Sequence, residues 1–304
     1  MYDIIIIGGG PAGLTAGIYT SRFMLRTLLI AEMTGGQAAL ADLVENYPGF
    51  PEGISGPELT EKMLEQAKRF GLDVIHGRVV GLKNVSSRPK IAKTETEEHE
   101  AEAIIVATGG EPQKLKIAGE ERLTGKGVSY CVSCDGPLFR NREVIVVGGG
   151  DRAIGGALFL SQLAKKVTLI HRREDLRASK ILEKRALANR KIEFIRSTVA
   201  TEVIGSGTVE KVKIKSVRSG EEKYISAQGV FILIGTKPNT NFLCETIACN
   251  KDGYIITNED LVTSESGVYA CGDCRQGSLH QIVAAAAEGA IAASAVYKYL
   301  KNQI

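Results

Sequence analysis

The same local pattern occurs twice in this sequence, and it leaves few folds open. Ile4-Ile5-Ile6-Ile7 runs into Gly8-Gly9-Gly10-Pro11-Ala12-Gly13, and Val144-Ile145-Val146-Val147 runs into Gly148-Gly149-Gly150-Asp151-Arg152-Ala153. Each copy is a short apolar run, a G-x-G-x-x-G/A turn and an apolar stretch that reads as a helix. Strands of a parallel sheet are covered on both faces and are therefore apolar throughout. Glycine suits the turn because the backbone bends sharply and must approach a pyrophosphate, which lies against the unpaired N–H groups opening the helix. One such turn says little. Two, each behind a strand, predict an α/β protein with two Rossmann-like nucleotide-binding domains.

The residue after the second strand of each unit separates their ligands. Twenty-two residues beyond Gly10 stands Glu32, behind Thr27-Leu28-Leu29-Ile30-Ala31; the same step from Gly150 reaches Arg172, behind Val167-Thr168-Leu169-Ile170-His171. An acid there accepts hydrogen bonds from a free adenosine ribose, whereas a base suits a 2′-phosphate. The first unit should hold FAD or NAD. The second, with Arg172, Arg173 and Arg177 clustered, should hold NADP. Between the units, Ser55-Gly56-Pro57-Glu58 opens a helix that Gly71 ends, and residues 73–107 read as strands. Glu111-Pro112-Gln113-Lys114 reads as a linker into the second unit and Gly235-Thr236-Lys237-Pro238-Asn239-Thr240 as the exit from it. The second domain (115–242) is thus expected to be inserted in the first (1–114 and 243–304), whose last segment returns to complete its sheet.

Composition narrows the function classes. The 304 residues suffice for about two domains. A net charge of +3 is small beside 38 basic and 35 acidic side chains, so no nucleic-acid partner is inferred. The run Ile4–Ile7 is too short for a secretory leader and lacks a basic lead. No stretch reaches the roughly 20 apolar residues of a membrane span. The Ala-rich end, Ile282 to Leu300, is broken by Glu288 and Lys298 and reads as a packed helix. Six cysteines in so long a chain do not make a disulfide scaffold. A cytoplasmic protein is expected, where C-x-x-C points to catalysis or to a metal.

Taken in order, the motifs resemble one family over essentially the whole chain. They are Gly8 to Gly13, Gly35-Gly36-Gln37, Glu45-Asn46-Tyr47-Pro48-Gly49, Ala107-Thr108-Gly109 and Cys131-Val132-Ser133-Cys134-Asp135. Gly148 to Asp151, His171-Arg172-Arg173 with Arg177-Ala178, and Ala270-Cys271-Gly272-Asp273 complete the set. The family is the low-molecular-weight flavoprotein thioredoxin reductases. The resemblance implies FAD in the first domain, NADPH in the second, a redox disulfide between them and a homodimer. It also implies that Gln37 and Asn46 lie along the flavin and that Asp273 binds its ribityl–pyrophosphate region. Gly36, Thr108, Gly109 and Gly272 are expected in the same cofactor site, and Gly148, Gly150, Asp151, Ala153 and Gly235 in the NADPH site. Three positions depart from the family. Arg152 replaces a small residue, Gly155-Gly156 stands where a Glu is common, and His280-Gln281 replaces Arg-Gln. Two glycines inside a helix cost about 1 kcal/mol each against alanine, so close packing or an altered donor site is expected there.

Cys131 and Cys134 form a C-x-x-C pair that spacing alone assigns to zinc, to a structural disulfide or to a redox disulfide. The second such pair, Cys271 and Cys274, lies too far away for a zinc ribbon, and Gly272-Asp273 has its own use. A structural disulfide across so short a loop removes little unfolded-state entropy. Position favours redox work, since the pair stands just before the second nucleotide-binding strand. Asp135, beside Cys134, offers a carboxyl group to shuttle the proton. Cys271 and Cys274 read as small buried side chains, and Cys244 and Cys249 as packing.

The mechanism implied is hydride from NADPH to FAD, two electrons from flavin to Cys131–Cys134, and disulfide exchange with a protein partner. By resemblance Cys134 is the flavin-proximal thiol and Cys131 the one that attacks. The resemblance further implies rotation of the inserted domain about linkers near 111–116 and 236–242. The expected partner is a thioredoxin or a glutaredoxin-like protein. The alternatives are the same chemistry fed by NADH, ferredoxin or another donor, a flavin-dependent ferredoxin–NADP reductase, or a non-catalytic nucleotide sensor.

Overall fold

In the computed structural model, which describes residues 1–41 and 44–302, the four-isoleucine run is a strand buried on both faces. Ile4 and Ile6 of Tyr2–Ile7 enter one core, and Ile5 and Ile7 enter another. All four are at most 3% exposed, and each such burial is worth about 1.5–3 kcal/mol. This strand pairs in parallel with Thr27–Ala31 and with Glu98–Val106, placing Ile4 opposite Thr27 and Ala103. Asp73–His76 extends the sheet on one side. On the other, Val268–Ala270 returns from late in the chain to pair with the C-terminal half of Glu98–Val106. The N-terminal half of that strand continues into an antiparallel meander with Lys90–Thr94 and Val79–Lys83.

Three helices cover the Ile4 face. Pro11–Arg22 follows the first glycine turn, Gly56–Arg69 is capped by Ser55 accepting from the Glu58 N–H at 3.3 Å, and Ile282–Lys301 closes the chain. The opposite face is covered by Leu243, Ile247 and Ile255. No helix among the described residues is long and apolar enough to cross a membrane.

The second sheet repeats the logic. Glu143–Val147 lies between Lys166–Ile170 and Gly229–Ile232, all parallel, with Ile192–Ile195 and Val128–Ser129 at the two edges. Val144 and Val146 face the helices Asp151–Leu163 and Lys180–Leu187. Ile145 and Val147 face an antiparallel sheet of Thr198–Ile204, Lys211–Ser216 and Glu222–Ser226. The chain divides into two compact units, Met1–Glu111 with Lys237–Ile304, and Pro112–Thr236. The crossing segments Gly110–Pro112 and Thr236–Pro238 pair with each other.

Glycine sets the spacing of the first layer. A Cβ on Gly289 of the last helix would stand 2.2 Å from the Ala12 carbonyl oxygen, so the two helices meet backbone to backbone. The pair Gly155-Gly156 divides. A Cβ on Gly156 would meet Leu233 Cδ1 at 2.8 Å and Val132 Cγ2 at 3.0 Å, whereas one on Gly155 meets nothing within 4 Å. The close packing expected for this pair therefore belongs to Gly156 alone. Gly289→Ala should cost about 1–3 kcal/mol through overpacking, while Gly155→Ala should stabilise by up to about 1 kcal/mol. Urea unfolding of both variants checks the opposite signs.

Candidate active site

In the first unit, backbone contacts gather the motifs around one turn. A Cβ on Gly8 would stand 2.2 Å from the Ala107 oxygen and 3.0 Å from Thr108 N, and one on Gly13 would stand 1.9 Å from the Gly8 oxygen. The Gly35 N–H donates to the Gly9 carbonyl at 2.7 Å, and a Cβ on Gly36 would lie 3.1 Å from Gly10 Cα. Gly272 brings its own turn to within 2.9 Å of the Ala12 Cβ by the same measure. Gly109 has φ +66°, and the Asn239 amide donates to the Thr108 carbonyl at 3.2 Å. Glu32 is exposed directly after the second strand, with Arg78 3.9 Å away.

The polar residues assigned to the flavin side also meet. The Asn46 amide donates to Gln281 Oε1 at 3.0 Å. Asp273 accepts from the Ser278 hydroxyl at 3.0 Å and has His280 Nδ1 at 3.4 Å. Gln37 is exposed on the short helical turn Gly36–Leu40. Beneath Asp273 lies a pair that sequence reading missed. The Glu288 carboxylate accepts from the Gly272 N–H at 2.7 Å and from Arg275 Nε and Nη2 at 2.9 and 3.0 Å. Glu288 is 8% exposed. A buried forked pair of this kind holds the turn by charge-assisted bonds.

In the second unit, Gly148 has φ +153°, and a Cβ there would collide with the Leu233 oxygen at 2.5 Å and with Ala153 at 2.7 Å. The place of a Cβ on Gly149 is taken by the His171 ring, 2.3 Å away. His171 is buried, its Nε2 lies 3.2 Å from the Asp175 carbonyl, and its pKa is lowered by burial, then by Arg177, Arg172 and Arg173. Asp151 accepts from the Ser179 N–H at 2.6 Å, and the Arg177 N–H donates to the Gly149 carbonyl at 2.7 Å. These bonds tie the glycine turn to the basic turn. Arg172, Arg173 and Arg177 are exposed, and none pairs with a carboxylate among the described residues. Arg152 reaches Thr236 Oγ1 at 3.2 Å, beside Gly235.

Both turns fit a dinucleotide. A Cβ on Gly10 or Gly150 would project into open space, and no side chain caps either helix. That leaves the helix N–H groups for phosphate oxygens.

Cys131 and Cys134 are joined as a disulfide with Cα atoms 5.4 Å apart. Cys131 caps the short helix Val132–Asp135, and its Sγ accepts the Cys134 N–H at 3.2 Å, with Ser133 Oγ at 3.5 Å. Groups so placed can hydrogen-bond negative charge on the sulfur once the disulfide opens. Both cysteines and Asp135 are partly exposed, and the Asp135 N–H donates to the Cys131 carbonyl at 3.2 Å. A second missed pair fixes the approach to this motif. The Tyr130 hydroxyl donates to Glu120 at 2.8 Å, and the same carboxylate accepts from the Leu115 and Ile117 N–H groups at 2.9 and 3.2 Å. Burial and this bond push the Tyr130 pKa up.

The other cysteines differ from one another. Cys271 and Cys274 are fully buried free thiols; burial raises Cys271 well above its usual value and Cys274 to about 11. Cys244 and Cys249, expected to be separate packing residues, instead form a disulfide. No group of metal ligands occurs among the described residues.

These two nucleotide turns and the half-exposed disulfide define a pyridine-nucleotide disulfide oxidoreductase, and the family model described as pyridine nucleotide-disulphide oxidoreductase matches residues 2–289. The chain is 45% identical to a thioredoxin reductase of Listeria innocua, covering 99% of this chain and 95% of that one. It is 44% identical to one of Bacillus subtilis, covering 99% and 96%. The solved thioredoxin reductase of Streptococcus pyogenes superposes with a TM-score of 0.94 at 43% identity, covering 99% of both chains. The chain belongs to this oxidoreductase family, within its thioredoxin reductases. The family uses FAD and NADPH.

Removing one partner of a buried ion pair costs about 3–5 kcal/mol. Glu288→Ala should therefore lower unfolding stability by an amount of that order and shed flavin on dilution. Chemical unfolding and the visible absorbance of the filtered protein measure the two effects.

Proposed function

We propose that this chain is an NADPH-dependent thioredoxin-disulfide reductase acting through Cys131 and Cys134. The observation that carries the reading is a partly exposed disulfide whose Cys131 sulfur is met by the Cys134 N–H, in a chain of this family. The first unit would hold FAD through Gly8, Gly10, Pro11, Ala12, Gly13, Gly36, Gln37, Thr108, Gly109 and Gly272. Glu32 would take the adenosine ribose, Asp273 the ribityl–pyrophosphate region, and Asn46, His280 and Gln281 the flavin side. The second unit would hold NADPH through Gly148, Gly150, Asp151, Ala153 and Gly235. Arg172, Arg173 and Arg177 would take its 2′-phosphate, and Arg152 a contact near the pyrophosphate. When bound, FAD accepts hydride from NADPH and delivers an electron pair to a disulfide.

The steps that belong to the chain's own residues follow from the sulfur geometry. Two electrons and two protons open Cys131–Cys134 to a dithiol. Cys131 gives its thiol proton to solvent, and the hydrogen bond from the Cys134 N–H stabilises the resulting thiolate. This thiolate bonds to one sulfur of the partner's disulfide while the other leaves as a thiolate and takes a proton from solvent. Asp135 accepts the proton of the Cys134 thiol. The Cys134 sulfur then attacks Cys131, closing the original disulfide and releasing the partner as a dithiol. The acceptor is a thioredoxin, or a glutaredoxin-like protein of the same fold. The resemblance to the family supports a cytoplasmic homodimer.

Cys131→Ser and Cys134→Ser should each abolish NADPH-dependent thioredoxin reduction while keeping flavin reduction by NADPH. Trapping of a partner as a mixed disulfide should occur only with Cys134→Ser, where Cys131 remains. Full thioredoxin reduction by either variant rules the mechanism out. Hydrogen bonds to charged groups are worth about 1.5–3 kcal/mol. Arg172→Ala should therefore lose about tenfold to a hundredfold in selectivity for NADPH over NADH. Stopped-flow flavin reduction with both nucleotides reads this ratio, and an unchanged ratio removes Arg172 from the phosphate site.

A further inference from the structure

The disulfide that no motif announces is Cys244–Cys249, in the segment after the chain re-enters the first unit. We propose that it is a second redox-active site, opened and closed by exchange with dithiols independently of Cys131–Cys134. Four observations converge on it.

The segment does not need the bond to hold its shape. Leu243 and Ile247 anchor it, at 0% and 2% exposure, in the core beneath the first sheet. Backbone bonds run from the Leu243 N–H to the Thr240 carbonyl and from the Thr246 and Ile247 N–H groups to the Leu243 carbonyl, all at 2.8 Å. The Ala248 N–H donates to Ser264 Oγ at 3.0 Å, and the Ala248 carbonyl accepts from the Ile256 N–H at 3.0 Å.

The covalent loop is also short, since the cysteines are five residues apart, so its restriction of the unfolded chain is at the low end for a disulfide. A purely structural role is therefore poorly served by it.

Acceptors for a reduced thiol already stand beside Cys244. Cys244 Sγ lies 3.4 Å from the Thr240 carbonyl oxygen and 3.7 Å from that of Gly253. A disulfide sulfur has no proton to give these acceptors, whereas a thiol does.

Finally, both residues are partly exposed, unlike Cys271 and Cys274, which are sealed in the core with raised pKa values. Exchange needs an approach for the attacking sulfur. Here it exists.

In the exchange, one thiolate of an incoming dithiol bonds to one sulfur of the pair, and the other sulfur leaves and is protonated. The reductant's second thiol then attacks its own sulfur in the mixed disulfide, releasing the second cysteine. The reductant ends as a disulfide and Cys244 and Cys249 as two thiols, with both protons transferred. An oxidised dithiol runs the sequence backwards. The site thus reports the dithiol poise around the protein.

The test uses the flavin-loaded full chain in dithiothreitol buffers graded from fully oxidised to fully reduced. Samples are quenched in acid and denaturant, and free thiols take a light maleimide. Reversibly oxidised thiols take a heavy one after reduction. Cys131 with Cys134, Cys244 with Cys249, and Cys271 with Cys274 each fall on their own tryptic peptide. The Cys244–Cys249 peptide should change from two heavy to two light labels together as the buffer becomes reducing, and change back on re-oxidation. The Cys271–Cys274 peptide should stay light throughout. In Cys244→Ser the lone Cys249 should be light in every buffer. Two light labels at every ratio would mean that the thiols never pair, and two heavy labels at every ratio that the bond never exchanges. Either result overturns the proposal. Because the probe is a small dithiol read peptide by peptide, failure to reduce thioredoxin would appear separately and leave this result standing.

Discussion

The architecture rests on a few places where backbone meets backbone with no side chain between. The helix Pro11–Arg22 can begin where it does because Gly13 lies against the Gly8 carbonyl, at a point where a Cβ would be 1.9 Å from that oxygen. This approach lets the strand Tyr2–Ile7 turn at once into a helix whose first N–H groups are uncapped. Gly289 then lets the last helix lie against Ala12. That helix carries Glu288, which reaches the Gly272 N–H. One steric condition therefore propagates from the first turn through two helices to the turn that carries Asp273.

The two units solve opposite electrostatic problems with the same turn. In the first, Glu32 is exposed after the second strand, while Asp273 is met by Ser278 and His280, and Asn46 separately by Gln281. In the second, three arginines stand without carboxylate partners among the described residues, around a buried imidazole whose pKa they help to lower. Like charges so close together repel unless an anion joins them. A phosphate group bound at this turn would supply the countercharge and pairs of oxygens for guanidinium forks.

Much of this was legible in the sequence because the signals are local. The apolar runs, the glycine turns and the acid or base twenty-two residues on all lie within one strand–turn–helix unit, where spacing fixes position. The Ser55 cap and the C-x-x-C pair were legible on the same grounds, whereas the return of the last segment to the first sheet was read from the linker and exit segments that flank the inserted unit. What escaped reading are pairs whose members are distant or carry no pattern. Glu288 looked like an interruption of an alanine-rich helix, yet it is the acceptor for Arg275 and Gly272. Tyr130 and Glu120 belong to no motif and meet only because the segment before Cys131 folds back on the linker. Cys244 and Cys249 gave no signal, since a five-residue separation fits bonded and unbonded cysteines alike. Of the adjacent glycines 155 and 156, only the structure shows which faces Val132 and which faces open space.

The His171 ring fills the volume that a side chain at position 149 would occupy. The two residues therefore behave as a single steric object divided between two loops. Any larger residue at 149 must displace the imidazole, and a smaller side chain at 171 leaves a void beneath the glycine turn. The substitutions tolerated at one position are therefore conditional on the residue at the other. A redesign of the second unit would have to treat positions 149 and 171 as one variable and to change the arginine-bearing loop with them.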